Sequence, residues 1–173
     1  MKQVWYTVRE NVPVTGEVWR MVLAGDTGAI TAPGQFLNLA VPGFTLRRPI
    51  SVCDWDGESV TLLYKVVGRG TQAMTAQKAG DRVDALAGLG NGFDTARSGR
   101  RPLLVGGGVG TPPLYGLCRV LRQQGKEPIV LLGFRTAAEA LLTREFAALG
   151  AEVQIATEDG TAGTRGFVTG PMA

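Results

Sequence analysis

The chain contains no histidine and only two cysteines among its 173 residues. The first absence removes the commonest zinc ligand and the usual general base at neutral pH. Cys53 and Cys118 lie far apart and lack metal-type spacing, so we expect both to be reduced, buried thiols. Any redox or transfer chemistry is therefore expected to come from a bound cofactor rather than from side chains.

Long apolar runs and clusters of like charge are also missing. No segment is long enough to span a membrane, and the N-terminus lacks the apolar core of a signal peptide, which makes the cytoplasm the expected location. The chain has 18 Lys and Arg residues and 15 Asp and Glu residues, for a net charge of +3. Because the basic residues are scattered, we expect no nucleic-acid partner and no membrane partner.

The first part of the chain has the pattern of an all-β domain, with short segments rich in β-branched and aromatic residues between Gly and Pro turns. Strands are predicted at residues 4–12, 17–23, 35–41, 49–53, 59–67 and 81–87. A short helix is predicted at residues 71–78, with Thr71 as its N-cap. This spacing predicts a six-stranded antiparallel β-barrel over residues 1–98.

After residue 100, predicted strands alternate with predicted helices. The strands are at residues 102–105, 128–134 and 152–157, and the helices are at residues 112–124 and 136–149. They predict a parallel sheet whose strands are covered on both faces, in an α/β nucleotide-binding domain over residues 99–173. Because so small a sheet leaves an edge or a face uncovered, we expect this domain to be incomplete, either truncated or completed by a partner.

A glycine-rich segment, residues 103–115 (LLVGGGVGTPPLY), joins the first of these strands to its helix. Thr111 is the expected N-cap and Pro112 the first helical residue. Main-chain N–H groups that no side chain covers favour a phosphate at this position. The Rossmann spacing is not met, because Thr111 or Pro113 stands where the last glycine belongs. A strand-to-helix turn without a ligand is the alternative.

Two segments of the predicted barrel have residues suited to binding a further anionic group. Residues 47–51 (RRPIS) place two arginines at the start of a strand, and residues 63–71 (LYKVVGRGT) place glycines on both sides of an arginine before a helix start. The alternatives are a solvated strand edge for the first and a packing role for Tyr64 in the second. A third segment, residues 87–93 (AGLGNGF), predicts close backbone approach or positive-φ turns, with a plain interdomain loop as its alternative.

The motifs RRPIS, YKVVGRGT, GLGNGF, LLVGGGVGTPPL, LLGFRTAAE and TEDGTAGTRGFVT occur in this order. Together they resemble the ferredoxin reductase family and, within it, the electron-transfer subunits of class B dihydroorotate dehydrogenases. The resemblance covers essentially the whole chain. It implies that the barrel binds FAD, that the α/β domain binds NAD, and that the partner is a catalytic, FMN-bearing dihydroorotate dehydrogenase subunit.

The resemblance also implies roles for single residues. Arg48 would bind the flavin pyrophosphate, and Ser51, the expected catalytic residue, would lie near flavin N5. The other residues expected at the flavin are Pro49, Ile50, Leu63, Tyr64, Lys65, Gly70 and Thr71, the last two at its phosphates. Those expected under the phosphates of the nicotinamide cofactor are Gly106, Gly107, Gly108, Gly110, Thr111 and Pro112.

The function implied by the resemblance is electron transfer in pyrimidine biosynthesis, from dihydroorotate oxidation in the partner through a 2Fe–2S cluster and FAD to NAD. The family holds this cluster with four cysteines in a C-terminal tail, and none of them is present here, so we expect this chain to lack both tail and cluster. One alternative is an NAD(P)H-dependent reductase subunit of another complex, with Arg135 placed to meet a 2′-phosphate. The other is a flavin-binding fragment that only docks a partner.

Overall fold

The structure, a computed structural model, describes residues 1–170 and divides the chain into two compact units, Met1–Phe93 and Asp94–Ala173. Residues 171–173 of the predicted second domain lie outside the described part. The first unit ends earlier than the predicted boundary between residues 98 and 99. Lys126 Nζ donates to the carbonyls of Thr95, at 2.5 Å, and Ser98, at 3.0 Å, which holds this connecting segment on the second unit.

The first unit is a closed barrel of six antiparallel strands in the order β1-β2-β5-β4-β3-β6, as predicted. The strands are β1 (Lys2–Pro13), β2 (Val18–Ala24), β3 (Phe36–Leu39), β4 (Arg48–Trp55), β5 (Ser59–Lys65) and β6 (Arg82–Leu89). Side chains alternate between the interior and the surface, as in β1, where Val4, Tyr6 and Val8 are buried. Burial of these alternating residues fixes the register, because a slip of one residue would turn them to solvent.

The short helix of the barrel begins earlier than predicted. Helix α1 (Arg69–Met74) has Gly68 as its N-cap, so the prediction of Thr71 as the N-cap is wrong. Thr71 is the third helical residue, and its Oγ1 accepts hydrogen bonds from the main-chain N–H groups of Val67, at 2.9 Å, and Gly68, at 3.2 Å. A threonine at this position satisfies the exposed donors by reaching back, and its sequence pattern is easily confused with that of an N-cap.

The second unit is a four-stranded parallel sheet in the order β10-β9-β8-β7. Its elements are β7 (Leu103–Gly107), α2 (Pro112–Gln123), β8 (Ile129–Phe134), α3 (Thr143–Ala148), β9 (Glu152–Thr157) and β10 (Thr164–Arg165). The three predicted strands and the helix after the glycine loop are confirmed. Strand β10 was missed because two residues are too short to show a hydrophobic period.

The second predicted helix, at residues 136–149, is wrong as a single element. It is divided into a 3₁₀ turn at Ala137–Glu139 and α3, with Leu142 in the left-handed region at φ 59° between them. Leu141 and Phe146 are both fully buried. On one continuous helix these two side chains would point about 140° apart, so the break allows both to reach the core.

The sheet is less covered than predicted. Strand β8 is buried on both faces, but β7 alternates, with Leu104 buried and Leu103 and Val105 exposed by 47% and 39%. The prediction of two covered faces is therefore wrong for β7. Within residues 1–170, no helix has the length and apolar character needed to cross a bilayer.

The prediction of buried thiols is confirmed. Cys53 and Cys118 are both buried and form no disulfide within the described residues, and burial raises the pKa of the Cys118 thiol to about 11. A thiol with so high a pKa stays protonated at neutral pH and is a poor nucleophile or metal ligand.

Candidate functional site

Arg48, the first residue of β4, lies against the start of α1. A Cβ added at Gly70 would overlap the Arg48 guanidinium, so only glycine at this position leaves room for it. The guanidinium also lies over the ring of Phe44, 5.2 Å from its centroid. Phe44 was not predicted from the sequence, although an aromatic residue shortly before an arginine in the same loop is a recognisable signal.

The hydrogen bonds of Arg48 leave its positive charge uncompensated. Its Nη1 donates to the main-chain carbonyls of Leu46, at 2.5 Å, and Arg47, at 3.4 Å. No carboxylate pairs with Arg48 in the part of the chain that the structure describes. A guanidinium held by carbonyls and an aromatic ring, with no acidic partner, can still bind an anion.

The next three residues of β4 alternate between faces. Pro49 and Ser51 are exposed, whereas Ile50 packs against the barrel core. Ser51 therefore presents its hydroxyl on the same face as Pro49. The expected flavin-ring surface consists of these two side chains, and Ile50 supports them from the inside.

Of the three β5 residues expected along the flavin, Tyr64 faces away from the surface. Its side chain is 2% exposed, and its hydroxyl donates to Asn11 Oδ1 at 3.0 Å. Burial raises the pKa of the Tyr64 phenol to about 12, so it stays neutral. The Tyr64 side chain therefore has the packing role that was the alternative to a flavin contact. Only its main chain is left to contact a ligand. Leu63 is buried, and Lys65 forms an ion pair with Glu17 at 2.7 Å.

The Thr71 hydroxyl is not available to a phosphate. Besides the two bonds that it accepts, it donates to the carbonyl of Gly68 at 3.1 Å, and the side chain is buried. Its contribution to a ligand is therefore indirect, through the shape of the first turn of α1. The groups of this half of the site that remain able to bind an anion are the Arg48 side chain and the main chain beside Gly70.

The glycine loop of the second unit follows β7 at its carboxyl end. Gly106 is buried, and a Cβ there would meet Leu114 Cδ1 at 2.7 Å. Glycine is therefore needed at this position because β7 packs closely against α2. Gly107, Gly108 and Gly110 are exposed, and Gly108 has φ 50°. The open face of this loop gives a ligand direct access to main-chain N–H groups.

Thr111 and Pro112 follow the loop. Thr111 is the N-cap of α2 and Pro112 is its first residue, both as predicted. Thr111 has helical φ and ψ and its side chain makes no cap hydrogen bond, because a 3₁₀ turn at Gly108–Gly110 runs directly into α2. Thr111 Oγ1 is fully buried and has no hydrogen-bond partner among the described residues.

The GLGNGF segment is explained by packing within the barrel. Gly88, Gly90 and Gly92 all have positive φ. A Cβ at Gly88 would meet the Ala29 carbonyl oxygen at 2.5 Å, and one at Gly92 would meet Ala32 Cβ at 2.6 Å. The close approach that the glycines predict is therefore to the barrel's own backbone.

A 2Fe–2S cluster does not fit this chain. The two cysteines belong to different units and both are buried. Within the described residues, no three His, Cys, Asp or Glu side chains come together as a metal-binding group. We therefore assign no metal ligand.

The first unit is a closed six-stranded barrel with an arginine that pairs with no described carboxylate, and the second is a parallel sheet with an open glycine loop. Together these features define the ferredoxin reductase-like class of oxidoreductases. No family model matches the chain. The structure aligns with an NADH-dependent reduced ferredoxin-NADP oxidoreductase with a TM-score of 0.86 and 28% identity, covering 96% of this chain and 61% of that one. It aligns with the Amycolatopsis cytochrome P450 reductase GcoB with a TM-score of 0.84 and 25% identity, covering 99% and 57%.

Curated relatives give the family. The chain is 42% identical to the dihydroorotate dehydrogenase B (NAD(+)) electron transfer subunit of Geobacillus sp. (strain WCH70), over 98% of this chain and 68% of the relative. It is 41% identical to the subunit of the same name from Bacillus velezensis, over 98% and 69%. The chain belongs to this family of electron transfer subunits, which confirms the resemblance drawn from its motifs. It spans about two thirds of the length of these relatives.

Proposed function

We propose that this chain is the FAD- and NAD-binding part of an electron transfer subunit. It would pass electrons from dihydroorotate oxidation, in a catalytic partner subunit that carries FMN, to NAD. The names of the curated relatives support the partner, the reaction and the acceptor. The observation that carries the proposal is the Arg48 guanidinium, which lies against Gly70 and has no carboxylate partner among residues 1–170.

FAD fits the barrel better than FMN. A pyrophosphate carries two linked anionic groups, which match the Arg48 guanidinium and the main chain at the start of α1. Pro49 and Ser51 present an exposed surface beside Arg48 for the isoalloxazine ring, and we assign the Ser51 hydroxyl to flavin N5. Bound FAD supplies the hydride and single-electron chemistry, and these residues bind and orient it.

NAD fits the second unit. The exposed main chain of Gly107, Gly108 and Gly110 leaves room for its pyrophosphate at the carboxyl end of β7. Arg135, at the end of β8, is held by Glu139 in an ion pair at 2.8 Å. An exposed ion pair of this kind is weak, so the choice of NAD over NADP is supported instead by the names of the curated relatives.

The absence of histidine agrees with this assignment. Hydride transfer between a nicotinamide and a flavin needs the two rings held together, and no side chain needs to donate or accept a proton. The chain's own contribution is therefore binding and orientation.

The proposal can be tested by titrating the purified, flavin-free chain with FAD and with riboflavin, which lacks the phosphates. We expect FAD to bind much more tightly than riboflavin. Arg48→Gln should weaken FAD binding about 10- to 100-fold, because one charged hydrogen-bonding group is lost, and should leave riboflavin binding unchanged. Arg20→Gln, which breaks an exposed ion pair on the same barrel, is the matched control. Equal affinities for FAD and riboflavin would overturn the proposal.

A further inference from the structure

Arg47 and Arg48 are neighbours in sequence, but their side chains have different environments. The Arg47 side chain is 25% exposed and forms an ion pair with Asp84, Nη2 to Oδ2 at 2.5 Å. Its Nη1 donates to the main-chain carbonyls of Asp84, at 3.1 Å, and Asn38, at 3.3 Å. Within residues 1–170, no carboxylate pairs with Arg48. One arginine is thus fully engaged by the protein, and its neighbour is not.

The Arg47 contacts join neighbouring strands of the barrel. Asn38 is on β3 and Asp84 is on β6, and Arg47 directly precedes β4. The second carboxylate oxygen of Asp84 accepts from Gln3 Nε2, on β1, at 2.9 Å. Through Arg47 and Asp84, strands β1, β3 and β6 are therefore linked to the start of β4, where Arg48 lies. The Arg47 hydrogen bonds hold the pKa of the Asp84 carboxyl below its ordinary value of 3.8, so the pair stays charged at neutral pH.

The carbonyls that hold Arg48 belong to the segment that Arg47 anchors. Arg48 Nη1 donates to Leu46 O and to Arg47 O. Both carbonyls lie in the loop between β3 and β4, which also contains Phe44 beneath the Arg48 guanidinium. If the Arg47 anchor is lost, these carbonyls become free to move, and the direction in which Arg48 points is no longer fixed.

We propose that Arg47 is a positioning residue: its ion pair with Asp84 fixes the loop carbonyls that hold the Arg48 guanidinium ready for a pyrophosphate. The identity of that ligand rests on the proposed function, but the coupling between the two arginines does not. A preorganised guanidinium binds its anion with a smaller loss of side-chain entropy, so the effect of Arg47 should be seen in affinity for the phosphates.

A double-mutant cycle on the full chain tests this coupling. Arg47→Gln should weaken FAD binding about tenfold and leave riboflavin binding unchanged. In the Arg48→Gln background the same substitution should change FAD affinity less than about twofold, because the group that it positions is gone. A merely structural role would lower the affinity for both ligands, by the same factor in both backgrounds. Arg20→Gln is again the control, and Asp84→Asn takes the place of Arg47→Gln in the cycle if that variant does not fold.

A second readout needs no flavin. The Nε–Hε nuclear magnetic resonance signal of Arg48, assigned by its loss in Arg48→Gln, should shift or broaden in Arg47→Gln and stay unchanged in Arg20→Gln. If the Arg48 signal shifts or broadens in Arg47→Gln but the wild-type chain does not bind FAD, the proposed function fails and the positioning role stands. If FAD binds as expected but the signal is unmoved and the cycle is additive, the positioning role of Arg47 is overturned.

Discussion

The two phosphate-type segments of this chain have the same kind of sequence but are built in opposite ways. In the barrel, the space beside Gly70 is filled by the Arg48 guanidinium, and the Thr71 hydroxyl is bonded to the protein's own main chain. In the second unit, a Cβ added at Gly108 or Gly110 would meet no atom within 4 Å, and the loop stays open. A glycine motif therefore does not reveal whether the space it creates is used by the protein or left for a ligand.

The difference matches two kinds of ligand. A site whose charged group is already held in place loses little conformational entropy when its ligand binds. Such a site suits a cofactor that remains bound. An open loop that offers main-chain N–H groups suits a nucleotide that enters and leaves in each cycle. On this account the barrel half is specific and tight, and the α/β half is accessible and weaker. Four substitutions test that contrast.

The largest effect is expected for Gly70→Ala. The new Cβ would overlap the Arg48 guanidinium and displace it, while the backbone at this residue has no positive φ to be strained. We expect FAD affinity to fall about 100-fold, the order expected when a charged hydrogen-bonding group is removed. Gly16→Ala, a barrel glycine with open space around it, is the control for titration with FAD. Equal FAD affinity in both variants would mean that Arg48 does not bind the cofactor.

Gly110→Ala tests the open half. Its Cβ would meet no protein atom, so the fold should be unaffected, but it would stand where a phosphate approaches the loop. We expect the KM for NADH to rise about tenfold with FAD affinity unchanged. Gly99→Ala, in the same unit and also in open space, should behave as the wild type. An unchanged KM for NADH would place the nucleotide elsewhere.

Asp84→Asn tests the barrel anchor through pH. Because the folded-state pKa of Asp84 is lowered, its ion pair stabilises the protein above the ordinary value of 3.8, and this contribution is lost as pH falls from there through the folded-state pKa. We expect the variant to lose about 1 kcal/mol of unfolding free energy at pH 7, with the difference shrinking in acid. Denaturant unfolding across this range measures it. A difference independent of pH would contradict a charged pair.

Thr111→Val should have the smallest effect, and in the opposite direction. The Thr111 hydroxyl is buried and has no hydrogen-bond partner in the described part of the chain, and valine has nearly the same shape. We expect the unfolding free energy to rise by about 0.5 to 1 kcal/mol, since an unsatisfied polar group is removed. A loss of stability, measured by the same unfolding experiment, would show that the hydroxyl has a partner.

The strands were predictable, whereas the ends of the short helices were not. Barrel strands such as β1, β3 and β6 alternate between buried and more exposed residues and are separated by Gly and Pro turns, so their period identifies them. Helices α1 and α3 have six residues each, too few to show a period, and their ends depend on tertiary contacts such as burial of Phe146.

Site residues with local signals were easier to predict than those that depend on distant contacts. Arg48 and the glycine loop are recognisable because their neighbours in sequence define them. The partner of Arg47, Asp84, is 37 residues away, and no local pattern connects the two. Tyr64 was expected along the flavin because its neighbours form a ligand motif, but its side chain packs in the barrel core.

The most direct test of the account is to add NADH, without oxygen, to the chain loaded with FAD and to follow the visible flavin band. The account predicts that the band bleaches, at about 1 per second or faster, the range typical of enzymes, and that Gly110→Ala slows bleaching at low NADH. A chain that binds FAD tightly but whose flavin is not bleached by NADH would contradict the claim that its two halves bind two cofactors for hydride transfer.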